Sequence, residues 1–248
     1  MKKFVIAAAA MLALTGMANA APVRLATEGL YEPWNFVDAN GNLAGLDIDV
    51  GNELCKRANL ECTWVSNDWD SIIPNLVAGN YDAILAGMSI TEERMQTIDF
   101  TSDYSPPEPS RYLVLTESTA DLAAPKGLKI GAQTGTIQSG WLEANAKADN
   151  TIVTFADAPG AMADLRAGNI DAILADSSYL AEAVAGSEGA VKVDGPEIKV
   201  GGGVGIGVRK GDAIKATLDE ALAAAKADGT IDALITKWFP ERMGPFYK

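Results

Sequence analysis

One arginine, two acids and a set of small or flat residues stand where a chain could build a polar pocket. Arg94 lies five residues beyond Ser89, where Thr91-Glu92-Glu93 opens a helix. A planar guanidinium can grip a carboxylate through two charge-assisted hydrogen bonds, and the Ser89 hydroxyl would add a third. Glu28 and Asp176 each follow a strand-like stretch, and Tyr31, Trp34 and Trp69 offer flat walls. The chain contains no histidine. That removes Ser-His-Asp hydrolysis, Cys-His proteolysis, imidazole metal ligation and the side chain most used as a general base at neutral pH. The chemistry expected is recognition, with no catalytic residue, no cofactor and no metal.

The elements that must carry these residues announce themselves through a repeat. Residues 78–86 read AGNYDAILA and residues 167–175 read AGNIDAILA. Upstream the match is looser, with Asp68 opposite Asp157 and Leu76 opposite Leu165. Each copy reads as strand, loop, helix, tight turn, strand. The helices are expected over Asp70 to Ala78 and Pro159 to Ala167, each closed by Gly-Asn. The strands that follow, Tyr81 to Ala86 and Ile170 to Ala175, are apolar on both faces, as a buried parallel sheet requires. Each half opens with a further strand, Val23 to Ala26 or Leu128 to Ala132, so two βαβ lobes are expected. In open parallel sheets ligands sit beyond the carboxyl ends of the strands. That rule selects Glu28, Trp69, Gly87 to Ser89 (Met88 included), Thr134 to Ile137 (Thr136 included) and Asp176 to Ser178, and Ala86 and Gln133 beside them are also candidate ligand contacts.

Lys2 and Lys3 precede an apolar run from Phe4 to Leu14, and Ala18-Asn19-Ala20 supplies small residues for cleavage, so residues 1–20 are expected to be a signal peptide that exports the chain. In an oxidising compartment Cys55 and Cys62, the only cysteines, are expected to form one structural disulfide. With 20 Lys and Arg against 33 Asp and Glu the net charge is −13, which repels a phosphate backbone or an anionic lipid surface, so no nucleic-acid partner is expected. Asp38-Ala39-Asn40-Gly41-Asn42 superficially suggests a calcium loop, but Leu43 stands where the loop glycine belongs, and a hairpin turn on Asn40-Gly41 is the better reading. The glycine run Gly201 to Gly207 lacks the GK[ST] ending of a nucleotide loop and reads as a strand crossing back between lobes.

In order and spacing, several segments together resemble one family. They are Thr27-Glu28-Gly29-Leu30-Tyr31-Glu32-Pro33-Trp34-Asn35-Phe36, Gly45-Leu46-Asp47-Ile48-Asp49-Val50, Asp68-Trp69-Asp70, Met88-Ser89-Ile90-Thr91-Glu92-Glu93-Arg94, Gly135-Thr136, Ile170-Asp171-Ala172, Asp228-Gly229-Thr230 and Lys237-Trp238-Phe239. The family is the periplasmic solute-binding proteins for polar amino acids, the group of the lysine/arginine/ornithine-, histidine- and opine-binding proteins. The resemblance implies an α/β fold of two lobes, each a mainly parallel sheet flanked by helices, joined by a two-strand hinge. Lobe one would span 21–109 and 201–248, lobe two 110–200, with hinges near Pro106 to Pro109 and Val200 to Gly203. It also implies the Cys55–Cys62 pairing, which recurs in the basic-amino-acid members.

The same resemblance assigns roles. Arg94 would hold the α-carboxylate of an amino acid with Ser89 and the N–H groups of Ser89 and Thr136, Asp176 would take the α-ammonium, and Glu28 would meet a distal cation. Trp69 would stack on that cation. Ala86 and Gly87 replace two serines of the basic-amino-acid binders, which leaves room for a bulkier arginine-derived opine, and Ile137 stands where some members have a threonine. Implied partners are the small-molecule ligand, an inner-membrane ABC permease and its ATPase, with the protein a periplasmic monomer. The alternative on the same fold is a cyclohexadienyl-dehydratase-like enzyme, with Glu28 or Asp176 as its acid.

Overall fold

The computed structural model describes residues 21–242 and 244–247, so the expected signal peptide, residues 1–20, lies outside the described residues. In chain order the elements begin with β1 (Val23–Thr27), β2 (Leu30–Tyr31), β3 (Asn35–Val37), β4 (Leu43–Ala44), α1 (Leu46–Arg57), β5 (Cys62–Ser66), α2 (Trp69–Val77), β6 (Ala83–Ile84), α3 (Glu92–Thr97) and β7 (Ile98–Ser105). There follow β8 (Ser110–Leu115), β9 (Lys129–Gln133), α4 (Ile137–Asn145), β10 (Thr151–Phe155), α5 (Ala158–Arg166), β11 (Ala172–Asp176), α6 (Ser177–Ala185) and β12 (Val191–Ile198). The chain closes with β13 (Val204–Arg209), α7 (Ile214–Ala227) and α8 (Thr230–Trp238).

Two five-stranded sheets organise these elements, in the orders β5-β1-β6-β13-β7 and β10-β9-β11-β8-β12. The fold is therefore α/β, built twice on one plan. In each sheet the first three strands are parallel, the arrangement expected from the two-faced apolar stretches that contain β6 and β11. Beyond them each sheet continues antiparallel, so both sheets are mixed. Alternate residues serve opposite faces. On β11, Ile173 and Ala175 join Met162, Leu165 and Leu180 of α5 and α6, while Ala172 and Leu174 join Leu142 of α4. On β1, Leu25 packs towards Leu54, Leu222 and Ile235, and Ala26 towards Ile72 and Leu76.

The repeat has a local physical cause. Helices α2 and α5 both end one residue before an alanine and a glycine in the left-handed region, Gly79 at φ +82° and Gly168 at φ +72°. A side chain is strained in that conformation, which fixes glycine there. Asn80 Nδ2 then donates to Asn75 Oδ1 at 3.1 Å, and Asn169 Nδ2 to Asp164 Oδ1 at 3.1 Å. The repeated aspartates reach across to the neighbouring strand: Asp82 accepts from the Arg24 N–H at 2.9 Å and Asp171 from the Lys129 N–H at 2.7 Å. Each Gly-Asn-x-Asp string is thus a stop, a turn lock and a strand clamp in sequence.

The expected disulfide is present, with Cα atoms 6.2 Å apart, tying the end of α1 to the start of β5. The Asp38–Asn42 segment is the expected hairpin turn between β3 and β4, with Asp38 N–H donating to the Asn42 carbonyl at 2.8 Å. The chain passes between the sheets twice, through Pro106 to Pro109 and again between β12 and β13. The glycine run divides there: Gly201 to Gly203 make the passage, and Val204 onward is a strand inside the first sheet. Close approach explains the glycines, since a Cβ on Gly202 would stand 2.8 Å from the Ile90 carbonyl oxygen.

Candidate functional site

The carboxyl ends of the parallel strands of both sheets face one cavity. Its walls are Glu28, Tyr31, Trp69, Ala86, Gly87, Ser89 and Arg94 from the first half and Gln133, Thr136, Ile137, Gln138 and Asp176 from the second. Its empty volume is about 350 Å³, mouth included.

Arg94 is carried on the first turn of α3, whose N-terminus is capped by Thr91 Oγ1 accepting from the Arg94 N–H at 3.1 Å. The guanidinium donates to the Ser89 carbonyl at 2.8 Å and, across the cleft, to the Gly135 carbonyl at 3.2 Å. A guanidinium has five N–H groups, so these two bonds orient it without exhausting it. Its carbon sits 5.2 Å from the centre of the Trp69 ring. Trp69 was expected to stack on a ligand cation; the cation resting on it here is the protein's own. Burial pulls the Arg94 pKa down to about 10, opposed by Asp176 and Glu93, so the group stays positive at neutral pH.

Asp176 ends β11 and begins α6. Tyr31 donates to its Oδ2 at 3.0 Å and Gln138 to its Oδ1 at 2.7 Å. The Tyr31 ring is stacked on Tyr179, centroids 4.4 Å apart and planes at 6°. Burial raises Asp176 above the usual carboxylate range, while the two hydrogen bonds and Arg94 oppose the rise. Glu28 follows β1 and accepts from Gln133 Nε2 at 2.7 Å. Burial pushes it up to about 7, the Gln133 bond opposes this, and Asp157, Asp68 and Asp70 push it further up. Thr136 caps α4, accepting from the Ser139 N–H at 3.2 Å while its hydroxyl donates to the Gln133 carbonyl at 2.7 Å.

Two expected wall residues lie elsewhere. Trp34 is 1% exposed, tilted against Phe239 in the core and donating from its indole to Ser178 Oγ at 2.8 Å. It sits in the layer beneath Gly87, whose notional Cβ would be 3.5 Å from the indole. Met88 is fully buried beside Ile72 and Leu76. Gly87 turns the backbone there with a left-handed φ of +58°, and Met88 points into the core between two residues that line the cavity.

Two site residues were not legible beforehand. Gln138 matters because it lies one residue into α4 and reaches both Asp176 and Ser110; the neighbouring candidates Thr136 and Ile137 were the local signal. Glu108, in the Pro106-Pro107-Glu108-Pro109 passage, accepts from the Ser178 hydroxyl at 2.7 Å and the Ser178 N–H at 3.2 Å. Burial and the charge of Asp176 raise its pKa, against the Ser178 bonds and Arg242. Trp34, Ser178 and Glu108 therefore form a hydrogen-bonded chain beside the passage between the sheets.

Comparison with known proteins places the chain among relatives of the same fold. The lysine/arginine/ornithine-binding periplasmic protein of Escherichia coli (strain K12) is 35% identical over 96% of this chain and 97% of its own length. The L-arginine-binding protein of Pseudomonas aeruginosa is 34% identical over the same shares. A crystal structure of a periplasmic His/Glu/Gln/Arg/opine family-binding protein from Silicibacter pomeroyi in complex with lysine matches with a TM-score of 0.84 and 47% identity, covering 90% of this chain and all of that one. The family pattern of the bacterial extracellular solute-binding proteins, family 3, matches residues 23–241. With that match over nearly all of the described residues, the chain belongs to the bacterial extracellular solute-binding proteins of family 3.

Proposed function

We propose that this protein captures a cationic amino acid of the lysine, arginine or ornithine type in the cleft between two lobes, 21–109 with 201–248 and 110–200, and delivers it to an inner-membrane ABC permease and its ATPase. Arg94 holds the α-carboxylate with the Ser89 hydroxyl and the N–H groups of Ser89 and Thr136. Asp176, oriented by Tyr31 and Gln138, takes the α-ammonium. Glu28 meets the distal cation. The observation that carries this reading is the meeting of one guanidinium with two acids, Glu28 and Asp176, in a single cavity. A buried excess of negative charge is costly and favours a ligand of net positive charge.

An arginine-derived opine shares the ends that these residues read, so the same site serves either ligand class. The relatives named above are binding proteins, one of them solved with lysine, and two carry periplasmic names; the present protein is read as periplasmic on that basis. No catalytic step belongs to this reading. Calorimetric titration of refolded, ligand-stripped protein tests it. Lysine, arginine or ornithine should bind at micromolar concentration or below, about −8 kcal/mol or better, and glutamate should not. Binding of neutral amino acids alone, or turnover of prephenate, overturns it.

A further inference from the structure

We propose that Gln133 is a specificity-determining residue that makes the distal end of the cavity prefer a terminal ammonium to a guanidinium, an inference that rests on the reading of Glu28 given above. Gln133 ends β9 in the second half and Glu28 follows β1 in the first, so their contact forms across the cleft. Gln133 Nε2 donates to Glu28 Oε1 at 2.7 Å and to the Ala156 carbonyl at 3.0 Å. Both partners are acceptors, and an amide nitrogen has two hydrogens. The amide orientation is therefore fixed by its surroundings, and the nitrogen is fully used.

Two consequences follow for a ligand. Glu28 has one carboxylate oxygen engaged by the protein, which leaves Oε2 to face the ligand. Gln133 Oε1 receives no protein donor among the described residues, and Gln133 lines the cavity. The distal end thus offers single acceptor oxygens on two different groups. A guanidinium gains most from a fork that meets both oxygens of one carboxylate. An ammonium is a compact charge with three donors that can be shared among separate oxygens. Ammonium ligands use this arrangement fully, whereas a guanidinium gains its forked grip on both oxygens of Glu28 only by displacing Gln133.

The test is calorimetric titration of lysine and arginine into the wild-type protein and into Gln133→Leu, Gln133→Met and Glu28→Gln, at about pH 8.5 so that Glu28 is ionised. The second apolar variant guards against a folding defect in the first, with circular dichroism as the check. The wild type should bind lysine more tightly than arginine, and freeing Glu28 Oε1 should shift the ratio towards arginine by about tenfold, the worth of one charge-assisted hydrogen bond. A wild-type preference for arginine overturns the proposal. So does an unchanged ratio in folded Gln133 variants; if Glu28→Gln still weakens both ligands, the assignment of Glu28 survives that failure. If Glu28→Gln leaves both affinities unchanged, the distal assignment and the proposal fall together.

Discussion

The two halves share a strand order, a helix stop and a strand clamp, yet they bring different charges to the cleft: Arg94 and Glu28 from the first, Asp176 from the second. In register with the repeat, Ala86 corresponds to Ala175, Gly87 to Asp176 and Ser89 to Ser178. The first half puts small residues at its strand end and sends its cation in from α3; the second half places a carboxylate there directly. The scaffold below the strand ends is held constant and the chemistry above them is free to differ, which is the logic of a ligand site at the carboxyl edge of a sheet. In the proposed reading a zwitterion's carboxylate meets Arg94 of the first half and its ammonium Asp176 of the second.

Breaking either contribution should produce the largest effect. Arg94→Ala and Asp176→Asn should each weaken every amino-acid ligand by about a thousandfold, two or three charge-assisted hydrogen bonds' worth, measured by calorimetry. Undiminished binding by Asp176→Asn would dissolve the division of labour between the halves.

Glu28 supplies a finer comparison, because in the proposed assignment it distinguishes ligands that Arg94 and Asp176 treat alike. Glu28→Gln should cost a cationic ligand about thirtyfold or more and a neutral one severalfold less. With Glu28 pushed up to about 7, the ratio of cationic to neutral affinity should fall as pH drops from about 8.5 to 5.5. Asp176 is raised too, but in the proposed assignment it meets the α-ammonium common to all ligands, so the ratio isolates Glu28. For the ligand-free protein the sign is the reverse. A carboxyl whose folded pKa is raised stabilises the fold in acid, and that contribution is lost as pH rises from the usual carboxylate range to about 7. Thermal denaturation across that window checks it.

Much of this was legible in the sequence because the repeat encodes short-range physics. Gly79 and Gly168 stop helices, Asn80 and Asn169 lock turns, and Asp82 and Asp171 clamp strands, all within a few residues of one another or one strand away. The disulfide and the residues beyond the strand ends were legible for the same reason. Gln138 and Glu108 were not, because their partners Asp176 and Ser178 are 38 and 70 residues away, and nothing local distinguishes them from a solvated glutamine or a loop acid. Trp34 and Met88 were misplaced by one layer, since type alone does not say which face of the backbone a side chain takes. The antiparallel strands that complete each sheet went unread because their pairing depends on the chain's two passages between sheets.

The halves also differ in how they fasten the corner after their first long helix. Cys55–Cys62 staples it in the first. In the second, Asn150 does so, donating to the Pro125 and Ala146 carbonyls at 2.8 and 2.9 Å and accepting from the Leu128 N–H at 3.1 Å. Removing the disulfide with Cys55→Ser and Cys62→Ser should cost about 2.5 kcal/mol of stability for so short a loop, and Asn150→Ala about 2 kcal/mol, both read by urea denaturation. A much smaller loss in the first half would mean that the staple duplicates what packing already holds. The strand clamps are a last and smaller contrast. Burial would raise the Asp82 pKa, but bonds from Arg24 and Arg209 hold it down to about 2, whereas Asp171 accepts from the Lys129 N–H without an ion pair among the described residues. Asp82→Ala should therefore destabilise by about 2 kcal/mol and Asp171→Ala by about 1.

The position of β13 between β6 and β7 has a bearing on how the molecule comes to exist. Every strand of the second sheet is contiguous in the chain, from Ser110 to Ile198. The first sheet has a gap until Val204 to Arg209 arrives, and until then β7 has no neighbour to pair with. Contacts between chain-distant segments close late because their loop entropy is lost before any pairing rewards it. The second sheet can assemble on its own schedule, while the first must wait for a keystone strand synthesised after nearly everything else, with an open edge exposed in the meantime.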